Sequence, residues 1–368
     1  MTQPYLLPVQ NPIDLWICLF REFVAGTCIA VLLGLAFIAD VSAAPTSEYM
    51  ARQVVKDETA SLFHTGNFRA LDRLARQYRE HGDRTSSGLW KLTLYYGGLS
   101  SIPNQSVADE NYWKDLESKA LRWVSFSPDS PAAHLFYAGI LRSHGWSYRG
   151  TGYSNEVRQQ DWKPFYEYVA KARKYLETHK KVASKDPHWY EMMIDIATAE
   201  GWSREDFNSL VDEATGRHPY FYQIYFSAIN YLTPKWHGSK EQIEAFAKDA
   251  VRITRKKEGE SLYARIYWVA SQSNYGNSLF TDSKVVWSEM SKSIDDVLKR
   301  YPDQWNINNF AHFACLAGDA PKAMQLISKI EGKPIMDVWK SLSTFNQCLE
   351  WSSTPNKERS APAPGMGV

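Results

Sequence analysis

Cysteine is scarce in this chain. There are four in 368 residues, and two of them, Cys18 and Cys28, sit in an apolar N-terminal stretch. That excludes a disulfide-dense scaffold. It also leaves no zinc-type ligand spacing, because His312, the histidine nearest Cys315, stands without a compact ligand group. An excess of one charge is missing too: 42 basic residues face 41 acidic ones. A dedicated nucleic-acid binder would concentrate positive charge, so that class is excluded and no nucleic-acid partner is expected. No run of like charges and no leucine heptad occurs. Nucleophile-elbow, zinc-protease, P-loop and dinucleotide glycine patterns are all absent. No cofactor and no metal site are expected.

Long apolar runs are also lacking, with one exception. Residues 23–39, FVAGTCIAVLLGLAFIA, carry no charge and follow Arg21. They are short for a membrane span, which needs about 20 apolar residues. Small residues near Ala43 and Ala44 suit signal cleavage. Residues 1–44 are therefore read as a signal peptide or, alternatively, an uncleaved N-terminal anchor, the only membrane contact expected. Cleavage would remove Arg21, Asp14, Glu22 and Asp40, one basic and three acidic residues, and raise the net charge from +1 to +3. The location this implies is periplasmic or secreted, with inner-membrane anchoring as the alternative. Cys315 and Cys348 remain after cleavage. In an oxidising compartment they can pair; otherwise they are two buried thiols.

Aromatic residues are abundant: 14 Trp, 21 Tyr and 16 Phe. They can fill seams between stacked helices or line a groove. The stretch 219–270 organises the rest. Phe221, Ile224, Tyr225, Ala228 and Leu232 form one stripe and Tyr222, Phe226 and Ile229 a second, so this helix, expected from Pro219 to Leu232, is sandwiched between neighbours. Pro234 stops it, and Ser239 with Gln242 reads as a reciprocal cap for the next helix. That helix has one apolar face, Ile243, Phe246, Ala247, Ala250 and Val251. After Gly259 a third helix again carries two stripes, Leu262/Ile266/Val269 and Tyr263/Tyr267/Ala270. Inner, outer, inner is the order that stacked helical hairpins require.

The remaining chain reads the same way. A hairpin is expected over 49–81, with Ser86 or Ser87 capping the next helix and residues 97–108 forming a loop. Further helices are expected over about 109–125, after Pro131, over 160–180, after Asp186-Pro187, after Ser203, and over 283–300, 306–317, 319–330 and 334–350. Small residues Ala311 and Ala323, with Gly318 at the turn, give the best local match to a tetratricopeptide unit. The fold class is thus all-α, a right-handed array of stacked antiparallel helical hairpins, tetratricopeptide-like, over residues 45–351. Residues 352–368 are rich in Pro, Ser and Gly and read as a disordered tail.

Two segments concentrate aromatic, basic and histidine side chains at helix ends. One is SHGWSYRGTGY, with His144, Trp146, Tyr148 and Arg149. It is either a ligand-facing patch or a helix-end loop with aromatics tucked beneath it. The other comprises Lys235, Trp236 and His237, joined by Tyr263 and Arg265.

From Phe68 to Trp351 the chain resembles a family of bacterial, mostly exported proteins built on a domain of unknown function. The resemblance rests on FRALDRLARQYR, SHGWSYRGTGY, PYFYQIYFSAINYLTPKWHGS, YARIYW and the late ACLAGD. It implies tetratricopeptide-like helical repeats and supplies neither a substrate nor a catalytic residue. The functional expectation is a noncatalytic envelope or secreted scaffold presenting an aromatic and basic groove to a peptide or protein partner. A hydrolase or transferase in the same groove, with His144 or His237 beside a carboxylate, is the alternative.

Overall fold

The computed structural model describes residues 47–355; the N-terminal segment, with Cys18 and Cys28, and the last part of the tail lie outside the described residues. Helices α1 (Glu48–His64) and α2 (Phe68–His81) form a hairpin, and α3 (Lys91–Ser100) packs chiefly on α1. The chain continues through α4 (Glu110–Phe126), α5 (Pro131–Arg149), α6 (Trp162–Thr178), the short α7 (Lys180–Ala183) and α8 (His188–Glu200). Then come α9 (Arg204–Arg217), α10 (Tyr222–Leu232), α11 (Lys240–Glu258), α12 (Ser261–Ala270) and α13 (Leu279–Asp282). The last are α14 (Trp287–Arg300), α15 (Gln304–Leu316), α16 (Ala320–Ile327), α17 (Met336–Trp339) and α18 (Leu342–Ser353). Among the described residues the fold is all-α, without a named strand; the one isolated bridge joins Arg84 and Trp90. None of these helices is long and apolar enough to cross a membrane.

Packing mostly follows chain order. α4 lies on α5, α5 on α6, α6 on α8, α8 on α10, α10 on α11 and α12, α12 on α14, α15 on α16 and α16 on α18. The alternation expected around 219–270 holds. α10 and α12 are buried on most sides, whereas α11 buries one face, Ile243, Ala247, Ala250, Val251 and Thr254, and its last residue, Glu258. Ser203, Ser239 and Asp319 each cap a helix by accepting a backbone N–H three residues on. Cys315 of α15 and Cys348 of α18 form a disulfide with a Cα–Cα distance of 6.0 Å.

Several local expectations are corrected. α10 begins at Tyr222, not Pro219; Pro219 lies in a turn, where its carbonyl accepts the Tyr225 hydroxyl at 2.9 Å. Gln242 does not complete a reciprocal cap, because its side-chain oxygen accepts from Arg204 at 2.9 Å. α3 continues through Gly97 and Gly98 instead of breaking there. A Cβ on Gly98 would run into the Lys56 carbonyl of α1, so the glycines serve close helix contact. The helix expected over 334–350 is split at Lys340, the one non-glycine residue with positive φ among the described residues. α18 runs to Ser353, with Trp351 and Ser352 buried, slightly past the expected domain boundary.

Ser86 and Ser87 do not cap α3. They bind Glu48, the first residue of α1. Its carboxylate accepts from the Thr85, Ser86 and Ser87 hydroxyls at 2.7, 2.9 and 2.6 Å and from Arg52 at 2.6 Å. The other side of this loop reaches far along the chain. The Ser87 carbonyl accepts from Arg265 at 2.8 Å and from Asn306 at 3.0 Å. Nearby, the Trp90 indole donates to the Tyr220 carbonyl at 2.9 Å. The N-terminal hairpin is thereby held against α12 and α15. Gly88 makes this crossing possible: its φ is +87°, and a Cβ there would lie 2.7 Å from Tyr301 and 2.8 Å from Arg265.

Candidate functional site

The nine residues singled out in the sequence fall into four places. His144, Trp146, Tyr148 and Arg149 belong to the seam of α4, α5 and α6. His144 is buried, stacked on Trp113 with centroids 4.6 Å apart and facing Tyr168 at 3.9 Å. Its Nε2 meets Glu110 at 3.2 Å and its Nδ1 meets Glu117 at 3.4 Å. Tyr148 donates to Glu110, and that bond, ahead of the His144 contacts, holds the Glu110 carboxyl below its ordinary range. Arg149 lies over Trp146 at 4.9 Å and Trp162 at 5.4 Å, and donates to the Gly150 and Gly152 carbonyls. The conspicuous SHGWSYRGTGY motif therefore pairs its polar groups with its own surroundings.

Lys235, Trp236 and His237 form the turn after α10. The Lys235 stem is exposed, but its ammonium docks on the Ser273 carbonyl at 2.6 Å, and burial takes its pKa down to about 8. Ser273 belongs to a π turn, Ser271–Tyr275, that continues α12; such a turn disturbs the regular ladder. His237 meets the Thr198 carbonyl at 3.0 Å. Tyr263 joins neither group and lines a separate open space of about 340 Å³ with Lys248, Arg255, Glu260, Glu289 and Lys292. Its hydroxyl donates to Glu244 at 2.9 Å and accepts from the Val286 N–H, and burial raises its pKa.

Arg265 alone of the nine lines a partly open cavity of about 240 Å³ between α1, α3, α8, α10, α12 and α15. Its walls are helical stripes. α1 supplies Tyr49, Arg52, Gln53 and Lys56; α8 supplies His188, Glu191 and Asp195; α10 supplies Gln223, Phe226, Ser227 and Asn230. Arg265, Trp268 and Val269 come from α12, Gln272 from the π turn, and Trp305 and Asn306 from α15. Tyr96 and Gly97 of α3, with Ser87 before it, close the remaining side. The spacing i, i+3, i+4, i+7 recurs because one helix face looks inward.

The cavity is electrically uneven. On the α8 wall, His188 Nδ1 meets Glu191 at 2.6 Å while its ring stacks on Tyr96 at 3.8 Å. Asp195 accepts from Arg142 at 3.0 Å. Its side chain is 26% exposed, on the cavity side; the surrounding protein still strips much of its water and raises its pKa to about 6, against the pull of Arg142. On the opposite walls stand Arg52, paired with Glu48 and lying over Trp305 at 4.9 Å, and Arg265. Arg265 is 7% exposed, and Asn306 is fully buried with no partner for its side-chain oxygen.

The signal for this site was present in the sequence. Gln223, Ser227 and Asn230 interrupt an otherwise apolar helix at helical spacing, and Arg265 does the same in the third helix of the central stretch. Polar residues on the inner face of a sandwiched helix need a polar space to look into. The partner walls, α1 and α3, carry no comparable sequence mark. Among the described residues no group of three or more His, Cys, Asp or Glu side chains is placed to hold a metal ion. No family model, curated protein or solved structure matches the chain.

Proposed function

We propose that this protein is a noncatalytic envelope or secreted scaffold, and that the bound end of a peptide or protein partner occupies the cavity between α1, α3 and the α8, α10, α12 and α15 faces. The observation that carries this reading is the wall itself: five aromatic rings, Tyr49, Tyr96, Phe226, Trp268 and Trp305, interleaved with Arg52, Arg265 and the amides of Gln223, Asn230 and Gln272. Aromatic rings supply contact area and amides supply both donors and acceptors, the mixture that peptide recognition uses. The volume falls below the roughly 300–1,000 Å³ of ordinary small-molecule sites, so a chain end fits better than a large ligand. Stacking of the helix pairs as a right-handed, tetratricopeptide-like array is part of the same reading, as is membership of the exported helical family that the motifs resemble. The Cys315–Cys348 bridge supports a periplasmic or secreted location, since such bonds persist in oxidising compartments.

A photo-crosslinking amino acid tests the site. Placed at Gln223 or Gln272 in cells, it is expected to yield a discrete adduct that the same probe at Lys119, exposed on α4 and away from the cavity, does not. Equal labelling from all three positions, or none from the cavity, rejects the site.

The alternative, a hydrolase or transferase, draws on one observation: His188, Glu191 and Asp195 share the cavity, and Asp195 titrates near 6. No nucleophile stands beside them in a recognised motif. Turnover of the crosslinked partner that disappears in Asp195→Asn would favour this reading over simple binding.

A further inference from the structure

Asn306 and Tyr96 each leave one neutral polar atom unpartnered in the cavity wall, but Arg265 is the buried cation there whose donors are left over. It sits in α12 with its guanidinium flanked by the Tyr222 and Tyr301 rings at 5.2 and 5.5 Å. Of its five N–H donors, one is engaged, by the Ser87 carbonyl, and Nε has no partner. Among the described residues no carboxylate pairs with it. Glu258, the acid whose charge it feels, already serves Arg84 and Arg300. A buried guanidinium without a counter-ion is costly, and the cation costs least when an anion reaches it from the space it borders.

We propose that this anion is the free α-carboxylate of a peptide chain. The inference rests on the reading that the cavity binds a partner's end, and it names the group on that end. A planar guanidinium fork matches a carboxylate in two parallel hydrogen bonds. It matches a phosphate equally well, and the rest of the cavity decides between them. Glu191 and Asp195 line the same space and repel a multiply charged anion more than a singly charged one. Trp268, one turn along from Arg265, offers a flat surface for the last side chain. Gln223 and Asn230 answer the donors and acceptors of the preceding peptide groups.

The test uses the full exported chain and a degenerate tetrapeptide library in two forms, with free and with amidated C-termini. Retained peptides are read by mass spectrometry after gel filtration, with inorganic phosphate as competitor. The free acids are expected to be retained about tenfold or more over the amides, as loss of a charge-assisted pair implies. Phosphate should not displace them. Arg265→Gln should abolish the preference and Arg265→Lys should keep part of it. If Arg265→Gln fails to fold, the acid-to-amide ratio on the unaltered protein decides alone. Retained sequences carried at the C-terminus of a carrier protein, compared with the free peptides, show whether the source is a free peptide or a protein's chain end; preference for the acid in either supports the assignment. Equal retention of acids and amides, or full displacement by phosphate, overturns it while leaving the cavity a binding site. Retention of neither library overturns the binding reading itself.

Discussion

The seam around His144 and the cavity around Arg265 are built from the same materials, aromatic rings enclosing a basic side chain, and they differ in how far that side chain is satisfied. Both nitrogens of His144 face carboxylates, and Arg149 nearby donates to two carbonyls between two indoles. Arg265 makes one hydrogen bond and borders open space. A conspicuous motif can be consumed by packing, whereas an inconspicuous arginine in an apolar helix can be left with donors to spare. Density of aromatic and basic residues did not separate the two; the account of partners did.

The largest effect should come from the glycines that terminate each region. Gly88 and Gly150 both have positive φ, +87° and +69°. Around Gly150 nothing lies within 4 Å of an added Cβ, so Gly150→Ala should cost only the backbone strain of positive φ with extended ψ, about 1–3 kcal/mol. At Gly88 the strain of positive φ adds to a clash with Tyr301 and Arg265, and Gly88→Ala should cost more, about 3–5 kcal/mol. Urea unfolding of the two variants measures this. Equal losses would mean the 85–88 crossing does not hold the cavity together.

An intermediate effect is expected at the far end of the α15 wall. The disulfide closes a loop between residues 33 apart in sequence, and its loss should cost about 3–4 kcal/mol by chain entropy. Cys348→Ala should loosen α18 first, with α10 and α12 amides remaining protected from hydrogen exchange. Simultaneous exchange of α12 and α18 would show that the end of the chain is not a separate unit.

The smallest effects are set by pH, and two carboxylates around the cavity should respond in opposite senses. Burial alone would raise Glu48, but Arg52 and the Ser87 and Thr85 hydroxyls outweigh it and hold the carboxyl below its ordinary 4.5. Its contribution is therefore complete above that value and is lost as the pH falls through the folded one. Asp195 is raised from 3.8 to about 6, so the folded state keeps its proton longer, and stability falls as the pH climbs through that window. In calorimetric melts, Asp195→Asn should gain on the unaltered protein between about pH 4 and pH 6 and then level off. Glu48→Gln should lack the steep acid loss below about pH 4.5. An Asp195→Asn profile parallel to the unaltered one would mean that the cavity leaves this carboxylate fully hydrated.

Much of this molecule is legible one helix at a time. Apolar stripes, caps such as Ser203 and Asp319, and the turn at Gly318 depend on residues within a few positions of one another, so local sequence determined the all-helical fold and where most helices start. Errors came where a distant partner intervened. Gly97 and Gly98 look like a loop until α1 lies against them, and Ser86 and Ser87 look like caps until Glu48 takes them. The cavity is the extreme case. Its closing bonds join Ser87 to Arg265 and Asn306, 178 and 219 positions away. No periodicity spans such a separation. Sequence set which faces of α8, α10 and α12 would be polar; only the return of the N-terminal hairpin onto them decided that those faces share one space, because enclosure is a property of walls brought together and not of any wall alone.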